Sequence, residues 1–260
     1  MTNNFKGYNP NRSAEWNYGG RKWRLSRSKI ELFIECPRCF YLDNKLGTKR
    51  PSFPSFTLNI AVDQLLKNEF DSYREKQTAH PIMKKNHLNM IPFQHPDLDR
   101  WRDNFAGLEY KEPKTGLTVS GAVDDVWINN ENELVVVDYK ATAKEGEITT
   151  LKDSAWEEAY RRQMGIYQWI LKKMGFKVSD MGYFLYTNAL LDGYFEDRLR
   201  FKSNLIACSG DTQWIDDTLI DIKNCLDSEF YPESSPNCEY CQYRMYSGKK
   251  LQAIHKNKKS

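Results

Sequence analysis

The chain has 260 residues, 40% hydrophobic and 28% charged, with 7 Trp, 15 Tyr and 13 Phe. That is material for one large packed domain and excludes a disordered chain. No run reaches the roughly 20 apolar residues a membrane helix needs, and residues 1–8 lack the apolar core of a secretion signal, so a cytoplasmic protein without a membrane partner is expected. A formal net charge of +3 permits a nucleic-acid partner without requiring one.

Residues 1–24 are polar and predict a poorly ordered arm. The cluster Arg21-Lys22-Trp23-Arg24, with Arg27 and Lys29, interleaves an aromatic ring with cations and reads equally as a phosphate-contacting surface or as solvated charge. A helix is predicted to begin at Ser26 or Ser28, either a competent N-cap, and to stop at Cys36 before Pro37. Beyond Pro51 and Pro54, the residues Leu58, Ala61, Val62, Leu65, Leu66 and Phe70 recur at helical spacing and predict an apolar stripe. Residues 77–106 read as an irregular insertion ending in a short helix. Residues 117–128 and 134–141 predict a strand hairpin turned at 129–133. A long helix over 154–174, strands over 181–187 and 194–201, a helix over 212–228 and a basic tail over 246–260 complete the chain. This order predicts an α/β fold, a mixed sheet flanked by helices, over a single domain at 25–245.

The chemistry concentrates on the hairpin. If Ile128 faces Leu134 across the turn, counting back sets Asp124 opposite Asp138, with Cβ atoms about 5 Å apart. Two carboxylates so placed repel, and a divalent cation between them reverses the sign; hard oxygen ligands select Mg²⁺ or Mn²⁺. Lys140 lies one pleat along from Asp138 on the same face, suited to a metal-bound water or to charge building on a phosphate. An exposed Asp138–Lys140 ion pair is the plainer reading, but the run Val135-Val136-Val137 argues for a strand buried on both faces, where idle charges are costly. On the long helix, Trp156, Tyr160, Gln163, Tyr167 and Ile170 share one stripe, and Gln163 needs a polar partner within it.

Six cysteines are present. Cys36 and Cys39, and Cys238 and Cys241, stand at ligand spacing and predict one Cys₄ site holding either Zn²⁺ or an iron–sulfur cluster. Cys208 and Cys225 read as small buried apolar residues.

Taken in order, Gly121-Ala122-Val123-Asp124, Asp138-Tyr139-Lys140, Gln163-Met164-Gly165-Ile166-Tyr167 and the segment from Ser26-Arg27-Ser28 to Cys36-Pro37-Arg38 resemble the signatures of the PD-(D/E)XK nuclease superfamily. The likeness is to the RecB-like branch of CRISPR-adaptation exonucleases and helicase–nuclease domains, and it spans roughly residues 25–245. The resemblance implies a restriction-endonuclease-like fold. It implies Asp124, Asp138 and the Tyr139 carbonyl as ligands of Mg²⁺ or Mn²⁺, Lys140 as the catalytic lysine, and Gln163 and Tyr167 beside the site, positioning DNA. Many relatives carry a histidine ligand on the helix before the sheet; Asp63 stands there, readable as a ligand or as a solvated helix residue. Relatives often hold a [4Fe-4S] cluster on one N-terminal and three C-terminal cysteines. Here Ser247 falls near the third C-terminal position and Cys39 supplies a fourth thiolate, so a cluster is expected with zinc as its competitor.

The implied activity is metal-dependent hydrolysis of DNA, in the form of a single-strand exonuclease in DNA processing, repair or CRISPR adaptation, with protein partners in that process. The alternative is a non-catalytic module that binds DNA ends for a larger machine; a nuclease acting on RNA is a third reading.

Overall fold

The computed structural model describes residues 12–51, 56–152, 154–194 and 196–257. The chain forms two compact units, Met1–Pro54 with Asp217–Ser260, and Ser55–Asp216.

In the first unit, the two-residue strand β1 (Leu25–Ser26) leads into α1 (Arg27–Glu35) and α2 (Pro37–Asn44). Ser26 is the N-cap residue of α1, as its spacing predicts. Cys36 between the helices is extended, at φ −162° and ψ 103°, because the ring of Pro37 bars the helical region to the residue before it while suiting the first turn of α2. Of the polar arm, residues 1–11 lie outside the described residues. Residues 12–24 are tied down rather than loose. Arg12 pairs with Asp43, Tyr18 donates to Asp227 at 2.7 Å and the Trp23 indole donates to Asn44 at 3.0 Å. Cations of the N-terminal basic cluster are spent internally: Arg21 and Lys22 pair with Glu15, and Lys29 lies over the Trp23 ring. Helix α7 (Ile215–Asp227) buries one face of Ile215, Leu219, Ile222 and Leu226, and α8 (Glu239–Asn257) carries the predicted tail on as a helix.

The second unit begins with α3 (Thr57–Glu75), followed by α4 (Pro81–Lys85), β2 (Met90–Pro92) and α5 (Leu98–Arg102). An antiparallel hairpin of β3 (Leu108–Lys111) and β4 (Thr118–Gly121) precedes β5 (Asp125–Asn129) and β6 (Leu134–Thr142). Helix α6 (Ala155–Lys173), β7 (Met181–Ala189) and β8 (Phe201–Ser209) follow. The main sheet runs β2-β5-β6-β7-β8, parallel at β6–β7 and antiparallel elsewhere, so it is mixed as expected. The helix α6 provides the crossover that a parallel neighbour requires.

Four local expectations shift. The strand read as continuous over 117–128 is two strands, broken at residues 122–124, where the Val123 amide donates to the Trp101 carbonyl at 3.1 Å instead of joining a ladder. The stretch read as irregular supplies the edge strand β2, and Pro92, at its end, sits where a missing amide costs no central ladder bond. The last strand lies at Phe201–Ser209, beyond the predicted 194–201. On α3, Val62 and Phe70 are buried, whereas Leu58 and Leu65 remain 55% and 66% exposed, so the inward face is narrower than the predicted stripe.

Alternation along β6 organises the core. Val135, Val137 and Tyr139 join Phe70, Met83, Trp127 and Leu185 in one cluster, with Phe70 stacked on Trp127 at 5.4 Å between ring centres. On this side lies Asp125, fully buried. Its carboxylate accepts from the Trp127 indole at 3.0 Å, the Tyr139 hydroxyl at 2.9 Å and Arg102 at 2.8 Å, and pairs with Arg74. Asp71 braces both guanidiniums. Removing one partner of a buried pair strands the other's charge. Asp125→Ala is therefore expected to cost about 3–5 kcal/mol of folding stability, read as a lowered urea midpoint, while Asp97→Ala on the surface leaves the midpoint in place.

Candidate active site

The β5–β6 register pairs Asp125 with Val137, Val126 with Val136, Trp127 with Val135 and Ile128 with Leu134. One step further brings Asp124, just ahead of β5, level with Asp138, as the sequence count predicts. The amide of Tyr139 has no β5 partner there and donates to Asp124 Oδ2 at 2.8 Å. On a strand the N–H and C=O of one residue point the same way, so the Tyr139 carbonyl also faces the Asp124 side.

Asp138 is 2% exposed. The Gln163 amide donates to its Oδ1 at 2.5 Å and to the Tyr167 hydroxyl at 3.1 Å. Its Oδ2 is buried and pairs with the Lys140 ammonium. Lys140 lies 3.5 Å from Gln163 Oε1 and over the rings of Tyr160 at 4.5 Å and Phe184 at 5.7 Å. The four residues Asp138, Lys140, Gln163 and Tyr167 thus form one polar group on the face opposite Tyr139. The helix that carries Gln163 comes close to the chain at Asp211: a Cβ on Gly165 would stand 2.2 Å from the Asp211 carbonyl oxygen, so only glycine fits that position.

Asp63 and Asp124 share a cation that sequence reasoning did not single out. Lys67, one helical turn after Asp63, lies 2.8 Å from Asp63 and 3.8 Å from Asp124. An i,i+4 pair on α3 was the signal available for it. Tyr160 was visible in the helical stripe, but its place over the lysine was not.

Charge explains the behaviour of the group. Removal from water and the nearby Asp138 push the Asp124 carboxyl up to about 7, with Asp63 adding to the push while Lys140 and Lys67 oppose it. Burial alone would lower Lys140, but Asp138 and Asp124 outweigh it and hold the ammonium above its ordinary range. Lys140 is therefore a cation at neutral pH, suited to stabilising negative charge rather than to accepting a proton. A carboxylate pair brought together by the ladder, with Asp138 almost fully buried, fits a hard divalent cation.

In the first unit the four paired cysteines converge. All four sulfurs lie within 4.8 Å of one another. Cys39 is 3.5 Å from Cys241 and 3.6 Å from Cys238, and Cys36 is 3.8 Å from Cys241. Burial would raise Cys36, but hydrogen bonds from the Cys39 and Ser235 backbones and from neighbouring thiols pull it down to about 6, whereas burial raises Cys39 and Cys241. Ser247, near the position where relatives carry a further cysteine, donates to the carbonyls of Tyr243 and Arg244 and is not part of the cluster. Cys208 is buried and Cys225 half-buried, and burial raises both thiols, Cys225 to about 11.

The sequence profile of the PD-(D/E)XK nuclease superfamily matches residues 24–246. Among solved structures, a Eubacterium rectale protein named for an expected exonuclease activity aligns over 86% of this chain and 88% of its own, at 13% identity and TM-score 0.45. The protein SSO0001 aligns over 85% and 84%, at 14% identity and TM-score 0.38. No curated protein matches the chain in sequence. Among the described residues, no helix is long and apolar enough to cross a membrane.

The raised Asp124 carboxyl has a direct consequence for the metal-free protein. Its folded pKa exceeds the unfolded value near 4, so the folded state holds a proton that the unfolded state releases between about pH 4 and 7, and stability falls as pH rises through that window. Melting temperature is expected to drop from pH 5 to pH 8 more steeply in the wild type than in Asp124→Asn. Asp138→Asn, which removes the like charge, is expected to lower the Asp124 midpoint in a carboxyl NMR titration.

Proposed function

The chain belongs to the PD-(D/E)XK nuclease superfamily, and from that premise we propose that it hydrolyses phosphodiester bonds of DNA with the help of Mg²⁺ or Mn²⁺. The observation that carries this reading is the facing pair Asp124 and Asp138 with Lys140 alongside: a binding surface needs no repelling carboxylates, whereas a hard-metal site does.

In this reading Asp124, Asp138 and the Tyr139 carbonyl would hold the ion, with Asp63, now paired with Lys67, as a further candidate ligand. A divalent cation there would supply a water of lowered pKa and offset the charge of the carboxylate pair. Lys140, held as a cation by Asp138 and Asp124, would stabilise negative charge growing on the phosphoryl oxygens. Gln163 fixes one oxygen of Asp138, and the other faces Lys140. Tyr167, bonded to Gln163, locks the amide orientation, and both border the path of the DNA strand. The resemblance of the ordered motifs to RecB-like exonucleases supports single-stranded DNA with a free end as substrate, in DNA processing, repair or CRISPR adaptation.

Purified protein with Mn²⁺ is expected to shorten single-stranded DNA from an end, faster than matched duplex or RNA. Asp138→Ala and Lys140→Ala are each expected to lose about 100-fold or more in rate, while Lys140→Ala still binds the metal. If the wild type binds DNA ends in EDTA and cuts no strand with either metal, the end-binding module is the correct reading instead.

A further inference from the structure

The cysteine cluster has a size, and size separates the two metal groups its spacing allows. At a Zn–S bond of about 2.3 Å, tetrahedral thiolates stand about 3.8 Å apart. In a [4Fe-4S] cube each thiolate binds a different iron across bridging sulfides, which sets the four sulfurs about 6 Å apart. In a two-iron cluster the thiolates on different irons are spread in the same way. Here the sulfur separations are 3.5, 3.6 and 3.8 Å, and no pair exceeds 4.8 Å. A single ion fits inside; a cube does not.

The local architecture agrees. Cys36 caps α2 and Cys39 lies in its first turn; Cys238 precedes α8 and Cys241 lies in its first turn. Each Cys-x2-Cys therefore wraps one helix N-terminus, where the backbone amides favour thiolate charge. Two such turns present four sulfurs to one point. A tetrathiolate zinc centre carries about two negative charges, and two guanidiniums meet it: Arg50 lies 3.5 Å from Cys238 and Arg244 lies 3.9 Å from Cys241. Arg50 is itself held by Glu35 at 2.6 Å and by the Tyr240 ring at 4.7 Å.

We propose that Cys36, Cys39, Cys238 and Cys241 bind one tetrahedral Zn²⁺ rather than an iron–sulfur cluster, with Arg50 as the charge-balancing residue beside the sulfurs. The site is then a redox-silent clasp between the N- and C-terminal segments of its unit, and its metal content does not depend on the nuclease reading. The test uses the full chain, produced with both iron and zinc supplied and purified once in air and once under nitrogen. One zinc per chain is expected in both preparations, with no acid-labile sulfide and no visible absorbance, and cobalt in place of zinc should give the intense bands of a tetrahedral thiolate site. Iron with matching sulfide overturns the proposal, as do a single iron without sulfide and a chain with no bound metal. Arg50→Met, which keeps all four ligands, is expected to weaken zinc about tenfold in competition with a chromophoric chelator. Unchanged affinity removes Arg50 from the account.

Discussion

Two carboxylates cannot share a dry site unless something positive stands between them, and the second unit is arranged around that constraint. The β5–β6 ladder forces Asp124 toward Asp138 because the pairs before them are fixed by buried valines and Trp127. Repulsion is met with lysines from two directions, Lys140 from the same strand and Lys67 from α3. These ammoniums offset the charge but do not remove it, since Asp124 still holds its proton to about 7. A divalent ion would offset the charge that the lysines leave.

The consecutive residues Asp124 and Asp125 show how a strand divides such labour. Asp125 opens β5 and Asp124 lies just ahead of it, and their carboxylates meet different partners. Asp124 meets another acid; Asp125 meets two arginines, an indole and a tyrosine hydroxyl. Tyr139 connects the two, since its hydroxyl binds Asp125 and its amide binds Asp124. The buried cationic network behind the sheet thereby fixes the residue whose peptide forms one wall of the site. A shift of β6 by one residue would exchange the two environments and leave both carboxylates in the wrong one.

The features of the site that depend on local periodicity were legible in the sequence. The hairpin register follows from counting out of the turn, and the Gln163–Tyr167 pair follows from helical spacing. The convergence of two Cys-x2-Cys turns follows from ligand chemistry. What escaped depends on tertiary partners. The break at residues 122–124 requires the Trp101 carbonyl, 22 residues away from Val123, as an alternative acceptor. Strand β2 is too short and too proline-bound to announce itself, and gains its identity only from the edge of β5. Nothing local distinguishes Asp125 from Asp124. Only Arg74 and Arg102, brought in from α3 and α5, assign its role. Leu58 and Leu65 satisfied the helical stripe, yet burial depends on what faces a residue and not on its period alone.

Metal selectivity within one chain follows from the contrast between the two donor sets. Thiolates at tetrahedral separation reward a small, soft-tolerant ion and leave Mg²⁺, which prefers an octahedron of oxygens, without a suitable shell. The carboxylates of the second unit offer oxygen alone and keep lysines at their edge, so an ion there would compete with ammonium charge. A structural ion must outlast the fold it secures, whereas a catalytic one must admit water and release a charged product. Softness and closure suit the cysteine cluster to the first task; hardness and incomplete neutralisation suit Asp124 and Asp138 to the second.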